Sequence, residues 1–413
     1  MNFNRHIKRE LVNEYAGSEK KRTIILDDGY KYLLKFPDPI REKNNDLSYI
    51  NNAISEYLGC KIIKSIGLSV QDVILGEYTD ERGKTKVACA CKDVRNPGEI
   101  MHPVQTIALS SLDEETRNEA TVDNATYFAE NFKLLPKDEI LDFYYNMFVV
   151  DSFIGNRDRH NGNWAILTDN DGNARISPIY DCGSSLSPML SDNELNNKNL
   201  TNDALSTYSV IKDENGKRIS YQEYMLSGRN KYLDEAIKRI VPNIDMRVIG
   251  KIIDDIEYIS DKRKEFYKSL LSMRYEKIMI PALKRQFEKD KDEINEKTKN
   301  LSPKDLKDNY EKYIKPLRES NEILFKSTDA HGNNIYIRKA TKNVVIISNQ
   351  SDEVIGVASI RNDYNDIRDY ICQTHIKPIA IEINPIENLI AKAKKEIERP
   401  SIENKMRNNN IER

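Results

Sequence analysis

The sequence predicts an α+β chain with two lobes, strand-rich at the amino terminus and helical at the carboxy terminus, followed by a small α/β appendage. Short β-prone runs separated by turn residues reach as far as Cys91, helical spacing takes over from Pro136, and short strands return after Asn334. These shifts place the domain boundaries at 1–95, 96–325 and 326–413. A chain of 413 residues also exceeds one ordinary core of about 100–200 residues, so more than one unit is expected.

Composition narrows the class. Lys+Arg 64 against Asp+Glu 66 leaves a net charge of −2, which favours neither nucleic acid nor an anionic membrane as partner. With 31% charged and 39% hydrophobic residues the chain is a globular mixture. Cys60, Cys89, Cys91, Cys182 and Cys372 are odd in number and scattered, which predicts reduced thiols and a cytoplasmic location. Cys89-x-Cys91 reads as strand packing rather than half a metal site, since no histidine or second cysteine pair lies near it. Residues 1–11 lack the apolar core of a signal peptide, which leaves only secretion by a route without one, and no run approaches the roughly 20 apolar residues of a membrane span.

Residues 15–36 predict two strands around a tight turn, with Asp28-Gly29 between β-prone runs as the hairpin signal. Gly17, Ser18 and Lys20 belong to a short turn whose backbone N–H groups and ammonium charge suit phosphate oxygens, although ordinary solvated turns share the pattern. Lys35 ends an apolar strand, Tyr32-Leu33-Leu34-Lys35-Phe36, where an ammonium group is expensive to bury without an anion. The helix expected over 50–66, stopped by Gly67, supplies one: Glu56 shares its face with Ala53, Cys60 and Ile63. Each charge needs a counter-ion. Together they make the lysine–glutamate pair that positions nucleotide phosphates in kinase sites.

Strands continue over 68–94, and the small apolar run Val87 to Cys91 leads into Lys92-Asp93-Val94 and the loop Asn96-Pro97-Gly98. That arrangement suits a hinge between lobes, its backbone available to an adenine. A helix from Pro136 to Ile154 is apolar on most sides and therefore core. It ends at Gly155 and delivers the chain into Asn156-Arg157-Asp158-Arg159-His160-Asn161-Gly162-Asn163, a polar loop on a rigid base. An Asp and an Asn five positions apart, a short apolar segment and then Asp181-Cys182-Gly183 form the layout of a phosphoryl-transfer site. In that layout Asp158 handles the proton of the attacking hydroxyl, Asn163 and Asp181 hold Mg²⁺, and Gly183 lets the chain turn away.

These stretches carry a resemblance to a known family. Ala16-Gly17-Ser18-Glu19-Lys20, Leu34-Lys35-Phe36-Pro37, Asp158-Arg159-His160 to Asn163, and Ile179-Tyr180-Asp181 resemble the phosphate loop, lysine strand, catalytic loop and metal-binding segment of the HipA-like kinases, most closely the CtkA-type branch. The resemblance spans roughly residues 10–320 and implies a bilobal protein-kinase-like fold that moves the γ-phosphoryl group of ATP, with Mg²⁺ or Mn²⁺, to a Ser/Thr hydroxyl of a protein, its own included. It implies Asp158 as catalytic base, Lys35 as phosphate lysine, Asn163 and Asp181 as metal ligands, His160 near the nucleotide and Asp93 on the ribose. It also brings an antitoxin-like or regulatory partner into view. Two other readings remain: a phosphoinositide or small-molecule kinase, because Asp-Arg-His also resembles the lipid kinases, and a non-catalytic nucleotide-binding scaffold. A missing amphipathic membrane-facing stretch speaks against the first, and the filled acidic and metal positions against the second.

Beyond Gly183, the serines at 184, 185 and 187 and the polar run Asp192 to Asn202 predict an activation or substrate loop with candidate phosphorylation sites. Helices follow over Tyr232 to Val241, Met246 to Ile259 and 262–298; in the last, Phe266, Leu270, Met273 and Ile278 are expected on the catalytic helix and Pro281 to kink or break it. Lys289 to Lys299 is a solvated charge run. Strands over Asn334 to Arg338, Asn343 to Ser348 and Val354 to Ile360 and a helix near 386–398 make up the appendage, in which the isolated His331 and His375 read as structural.

Overall fold

Period-two alternation builds the amino-terminal sheet. The computed structural model describes residues 1–12, 21–37, 51–111, 120–213, 215–286, 289, 323–328, 334–341, 344–349, 354–359 and 377–381. Five antiparallel strands, β1 (Ile7–Leu11), β2 (Lys21–Leu26), β3 (Lys31–Lys35), β4 (Val73–Thr79) and β5 (Thr85–Lys92), lie in the order β1-β2-β3-β5-β4. Tyr32 and Leu34 point into a core with Phe3, Ile24, Leu26, Phe36, Tyr78, Ala88 and Ala90, so the odd-numbered neighbours Leu33 and Lys35 face the other way. On that second side α1 (Asn52–Ser65) packs against β4 and β5, and Gly67 (φ 94°) ends the turn after it. β1 was not legible in the sequence, since its burial pattern shows no buried residue.

The helical lobe grows around one buried helix. β6 (Ile100–Pro103), α2 (Val104–Ser111) and α3 (Val122–Asn131) lead to α4 (Lys137–Ile154), which carries Asp138 and Glu139 in its first turn, favourable at the positive end of the helix. Every residue from Met147 to Ile154 is buried. Gly155 closes the helix in the left-handed region (φ 68°), its N–H on the Asp151 carbonyl. β7 (Ala165–Thr168) and β8 (Ala174–Ile176) join β6 in a three-stranded sheet, and Trp164, packed edge-on or tilted against Phe128 and Tyr144, supports the loop before β7 from below. α5 (Asn197–Leu205), the hairpin β9 (Tyr208–Lys212) and β10 (Arg218–Ser220), α6 (Tyr221–Met225), α7 (Lys231–Ile240), α8 (Met246–Asp254) and α9 (Asp261–Arg274) complete the lobe. α7 lays Leu233, Ala236, Ile237 and Ile240 against α4 at helical spacing.

Three expectations need correction or refinement. The run Asp192 to Asn202 is not an open loop: it forms a single 3₁₀ turn at Asp192–Glu194 and the start of α5, and Asp192 is held by Arg263 Nε at 2.7 Å and Ser260 Oγ at 2.5 Å. α9 does meet α4 as expected, but packs more extensively against α5 and α8. Pro281 does not break its helix. A π turn over Tyr275–Met279 precedes it, so of the expected kink or break only the break is absent.

The chain forms two compact units, Met1–Pro281 and Ala282–Arg413. The second unit contains an antiparallel sheet of β11 (Ile323–Thr328), β12 (Asn334–Thr341), β13 (Val344–Asn349), β14 (Val354–Ser359) and β15 (Lys377–Ile381), in the order β14-β13-β12-β11-β15. β12, β13 and β14 match the sequence reading. β11 and β15 extend it, and the expected helix near 386–398, His331, His375 and nearly all of the Lys289 to Lys299 run lie outside the described residues.

Candidate active site

Lys35 reaches the cleft because it ends β3 on the face turned away from the core. Its Nζ donates to Glu56 Oε2 at 2.8 Å and to Asp181 Oδ1 at 2.7 Å. Loss of hydration by itself lowers the pKa of this ammonium group, but Asp181 and then Glu56 outweigh it and hold Lys35 well above the ordinary lysine value. For Asp181 burial works upward, and the charge and hydrogen bond of Lys35, helped by Arg159, bring the net shift below the ordinary aspartate value. Glu56 is fully buried and uses its other oxygen, Oε1, to accept the Cys182 N–H at 3.1 Å. One carboxylate thus links the sheet lysine, α1 and the segment that carries Asp181.

The turn at Asp181 differs from the expected one. Asp181 itself is left-handed (φ 59°), a region tolerated by Asp and Asn more than by most residues. Gly183 has no positive φ; it is small because a Cβ there would come within 3.2 Å of Glu56 Oε2. The following serines are no exposed loop either, since Ser185 and Ser187 are buried and Ser185 Oγ donates to the Cys182 carbonyl at 2.7 Å.

The loop after α4 is held from inside. Asn156 Nδ2 donates to Asp151 Oδ1 at 3.0 Å, Asn156 Oδ1 accepts the Asp158 N–H at 3.3 Å, and the Tyr221 hydroxyl donates to the Asn156 carbonyl. Asp158 opens to solvent at the edge of the cleft, whose walls still strip part of its hydration. That loss pushes its carboxyl above the ordinary aspartate value, with Asp181 adding to the rise and His160 opposing it. Asn163 Nδ2 donates to the Asp158 carbonyl at 2.8 Å, which leaves the amide oxygen as the end able to meet a cation. His160 Nδ1 accepts the Gly162 N–H at 3.0 Å, and a Cβ on Gly162 would come within 2.8 Å of that ring.

Arg159 has no assigned role in the sequence, yet it organises the site. Its guanidinium is dry and forks onto Asp151, Nε to Oδ2 at 2.8 Å and Nη2 to Oδ1 at 3.1 Å. Nη1 donates to the carbonyls of Asn163, at 2.7 Å, and Tyr180, and Nη2 reaches Cys182 Sγ at 3.8 Å. The catalytic loop and the Asp181 segment therefore share one buried cation. A signal for it existed: Asp151 sits within the most apolar stretch of α4 and, like Glu56, required a counter-ion.

A cleft of about 410 Å³ joins these groups, lined by Leu33, Cys91, Met101, Asn163, Tyr180 and Asp181 among others. That volume is ordinary for a small-molecule site. At its hinge end Asp93 is forked by Arg95, Nε to Oδ1 at 3.0 Å and Nη2 to Oδ2 at 2.7 Å, with Lys31 at 3.6 Å. Arg175 clamps the hinge further, through Glu99 at 2.6 Å and the Val94 carbonyl at 3.1 Å, and this guanidinium brings the Glu99 carboxyl down to about 2. Cys89 and Cys91 are buried in β5, and Cys91 closes one wall. Of the sequence candidates, Lys35, Asp93, Asn163 and Asp181 line the cleft, Glu56 is bonded to Lys35, and Asp158 and His160 are tied to the lining residues Asn163 and Gly162, while Gly17, Ser18 and Lys20 lie outside the described residues.

Comparison with known proteins follows the same geometry. A family model described as the HipA-like C-terminal domain matches residues 14–247. The serine/threonine-protein kinase CtkA of Helicobacter pylori is 33% identical over 287 residues, which span 66% of this chain and 85% of that protein. A crystal structure of an H. pylori proinflammatory kinase CtkA aligns with a TM-score of 0.63 at 29% identity, covering 70% of this chain and 99% of that one. HipA of Shewanella oneidensis, solved with HipB and operator DNA, aligns with a TM-score of 0.45 at 15% identity over 68% of this chain and 67% of that one.

Proposed function

Because the chain belongs to the HipA-like family and is a protein kinase of the HipA/CtkA type, we propose that its cleft binds ATP and that Asp158, Lys35, Asn163 and Asp181 direct the γ-phosphoryl group to a Ser or Thr hydroxyl of a protein. The observation that carries this reading is the joining of Lys35 to both Glu56 and Asp181 across the cleft. An ammonium group has three donors, so after two carboxylates Lys35 keeps one N–H for a phosphate oxygen. Glu56 fixes where that N–H points. Asp158, open at the edge of the cleft and held by its backbone through Asn156 and Asn163, accepts the proton of the incoming hydroxyl. In this reading Asp93, forked by Arg95 on the cleft wall, meets the ribose, and His160, whose ring accepts the Gly162 N–H, stands toward the phosphate tail.

The donor set suits a divalent cation. Asp181 offers a carboxylate that is 39% exposed and Asn163 its amide oxygen, both hard oxygen donors of the kind Mg²⁺ and Mn²⁺ take. Bound there, such an ion would neutralise charge on the phosphates. The chain's own contribution is positioning and fixed charge, the main resources of phosphoryl transfer. Among the described residues no helix is long and apolar enough to cross a membrane.

Radiolabelled ATP with Mg²⁺, offered with protein pools and separately with phosphoinositide vesicles to wild type, Asp158→Asn and Asp181→Asn, tests the reading. Label on protein that disappears in both variants is expected, and phosphosite mapping then shows whether the enzyme's own serines are among the acceptors. Label surviving both substitutions, or confined to vesicles, contradicts the assigned roles. Nucleotide binding without transfer to any acceptor would favour a scaffold.

A further inference from the structure

The β9–β10 hairpin and α6 form a depression of about 150 Å³, lined by Lys217, Arg218, Arg229, Asp213, Glu223 and Tyr224 among others. Its position is fixed by covalent and hydrogen-bonded links. Tyr221, three residues after Arg218, donates to the carbonyl of Asn156, two residues before Asp158. Among the charges acting on the Asp158 carboxyl, that of Arg218 is a minor one and opposes the rise in its pKa. Lys217 and Arg218 are the cations that the hairpin contributes, and Asp213 is turned inward to that hairpin, where Oδ1 accepts the N–H groups of Asn215 and Lys217. Lys217 and Arg218 are exposed and make no ion pair with a carboxylate among the described residues. Two exposed cations on the hairpin that leads into Tyr221, and so into the loop of Asp158, present positive charge to an acceptor chain approaching that loop.

We propose that this depression is an acceptor-side subsite for one anionic side chain, a carboxylate or a phosphorylated residue, flanking the Ser or Thr that receives the phosphoryl group. The proposal rests on the protein-kinase reading above and adds a substrate class to it. A guanidinium prefers planar or tetrahedral oxyanions that accept two N–H groups at once, and the pocket's volume suits one such group rather than a nucleotide. Attraction at this exposed site is modest and salt-dependent, so it selects among acceptors more than it drives binding.

The full chain is assayed with a peptide set in which a central serine is flanked, at successive positions, by Asp, phosphoserine, Ala or Arg. For each peptide kcat/KM is measured, together with affinity by fluorescence anisotropy. The expected result is a preference of roughly fivefold for an anionic flank over Ala at one position, shrinking as salt is raised. Arg218→Glu should abolish or invert the ratio, whereas Lys251→Glu, the same charge change on the exposed face of α8, should retain it. Equal use of anionic and neutral peptides, or a ratio that survives Arg218→Glu, overturns the proposal. Phosphoserine without Asp preference, or the reverse, identifies which oxyanion the subsite takes. If no peptide is phosphorylated, the kinase reading is damaged while anisotropy still decides the subsite: anionic preference lost in Arg218→Glu supports it, and no preference overturns it.

Discussion

Lys35 with Glu56 and Asp181, and Arg159 with Asp151, are two charge clusters that hold the same short segment, Tyr180 to Cys182, from opposite sides. They differ in access to water. In the first, the Lys35 side chain is 11% exposed and Asp181 39% exposed; in the second, Arg159 and Asp151 are 0% and 1% exposed. A cluster that water reaches can exchange a carboxylate for a phosphate oxygen at low cost, because solvent compensates part of each lost contact. A dry pair cannot, since an unpartnered charge there has no solvent to fall back on. The open cluster therefore suits chemistry and the dry one suits alignment.

Separating the two roles by mutation sharpens the contrast. The largest effect expected is on activity in the open cluster: Asp181→Asn should reduce phosphotransfer by at least about 10³-fold, measured as initial rate with saturating ATP and Mg²⁺. Its folding stability should move by less than about 1 kcal/mol, because Asn also tolerates the left-handed backbone at this position and Lys35 keeps Glu56. In the dry cluster, Arg159→Leu should cost about 3–5 kcal/mol in urea unfolding by stranding Asp151. Adding Asp151→Leu should recover much of that loss, and a double mutant no better than the single would show that the pair is not the unit that matters.

Smaller effects probe the elements between the clusters. Gly155→Ala places a methyl group against the Arg274 guanidinium at a left-handed position, so about 1–3 kcal/mol of stability should be lost, read as a lower Tm. A pH profile addresses Asp158. In the proposed role the ionised carboxylate is the working form, and its pKa is raised, so kcat/KM should fall with decreasing pH along a limb centred above the unperturbed aspartate value of about 3.9. Below the limb the rate drops about tenfold per pH unit. A limb at or below that value would mean that the cleft does not strip Asp158 of hydration.

Much of this was legible in the sequence wherever a charge sat in an apolar context. Lys35 in an apolar strand and Glu56 on an apolar helix face each demanded a partner, and the structure joins them at 2.8 Å. The same demand was present at Asp151 and went unread, because an arginine inside a polar loop looks like any solvated arginine until the fold buries it. α4, its stop at Gly155 and the hairpin at Asp28-Gly29 followed from periodicity and turn chemistry. The passage of a helix through Pro281 did not, since a π turn has no local sequence signature. Nor did the burial of Ser185 and Ser187, which depends on packing against residues far away in the chain, such as the Leu186 N–H bonded to the Ile154 carbonyl.

The division of labour between the clusters is tested most directly by measuring radiolabel transfer and the urea midpoint on the same preparations of Asp181→Asn and Arg159→Leu. Asp181→Asn should be as stable as wild type and without transfer, and Arg159→Leu should unfold at clearly lower urea while retaining a measurable fraction of transfer under conditions where it remains folded. A stable Asp181→Asn that still transfers phosphate at the wild-type rate would contradict the assignment of chemistry to the open cluster.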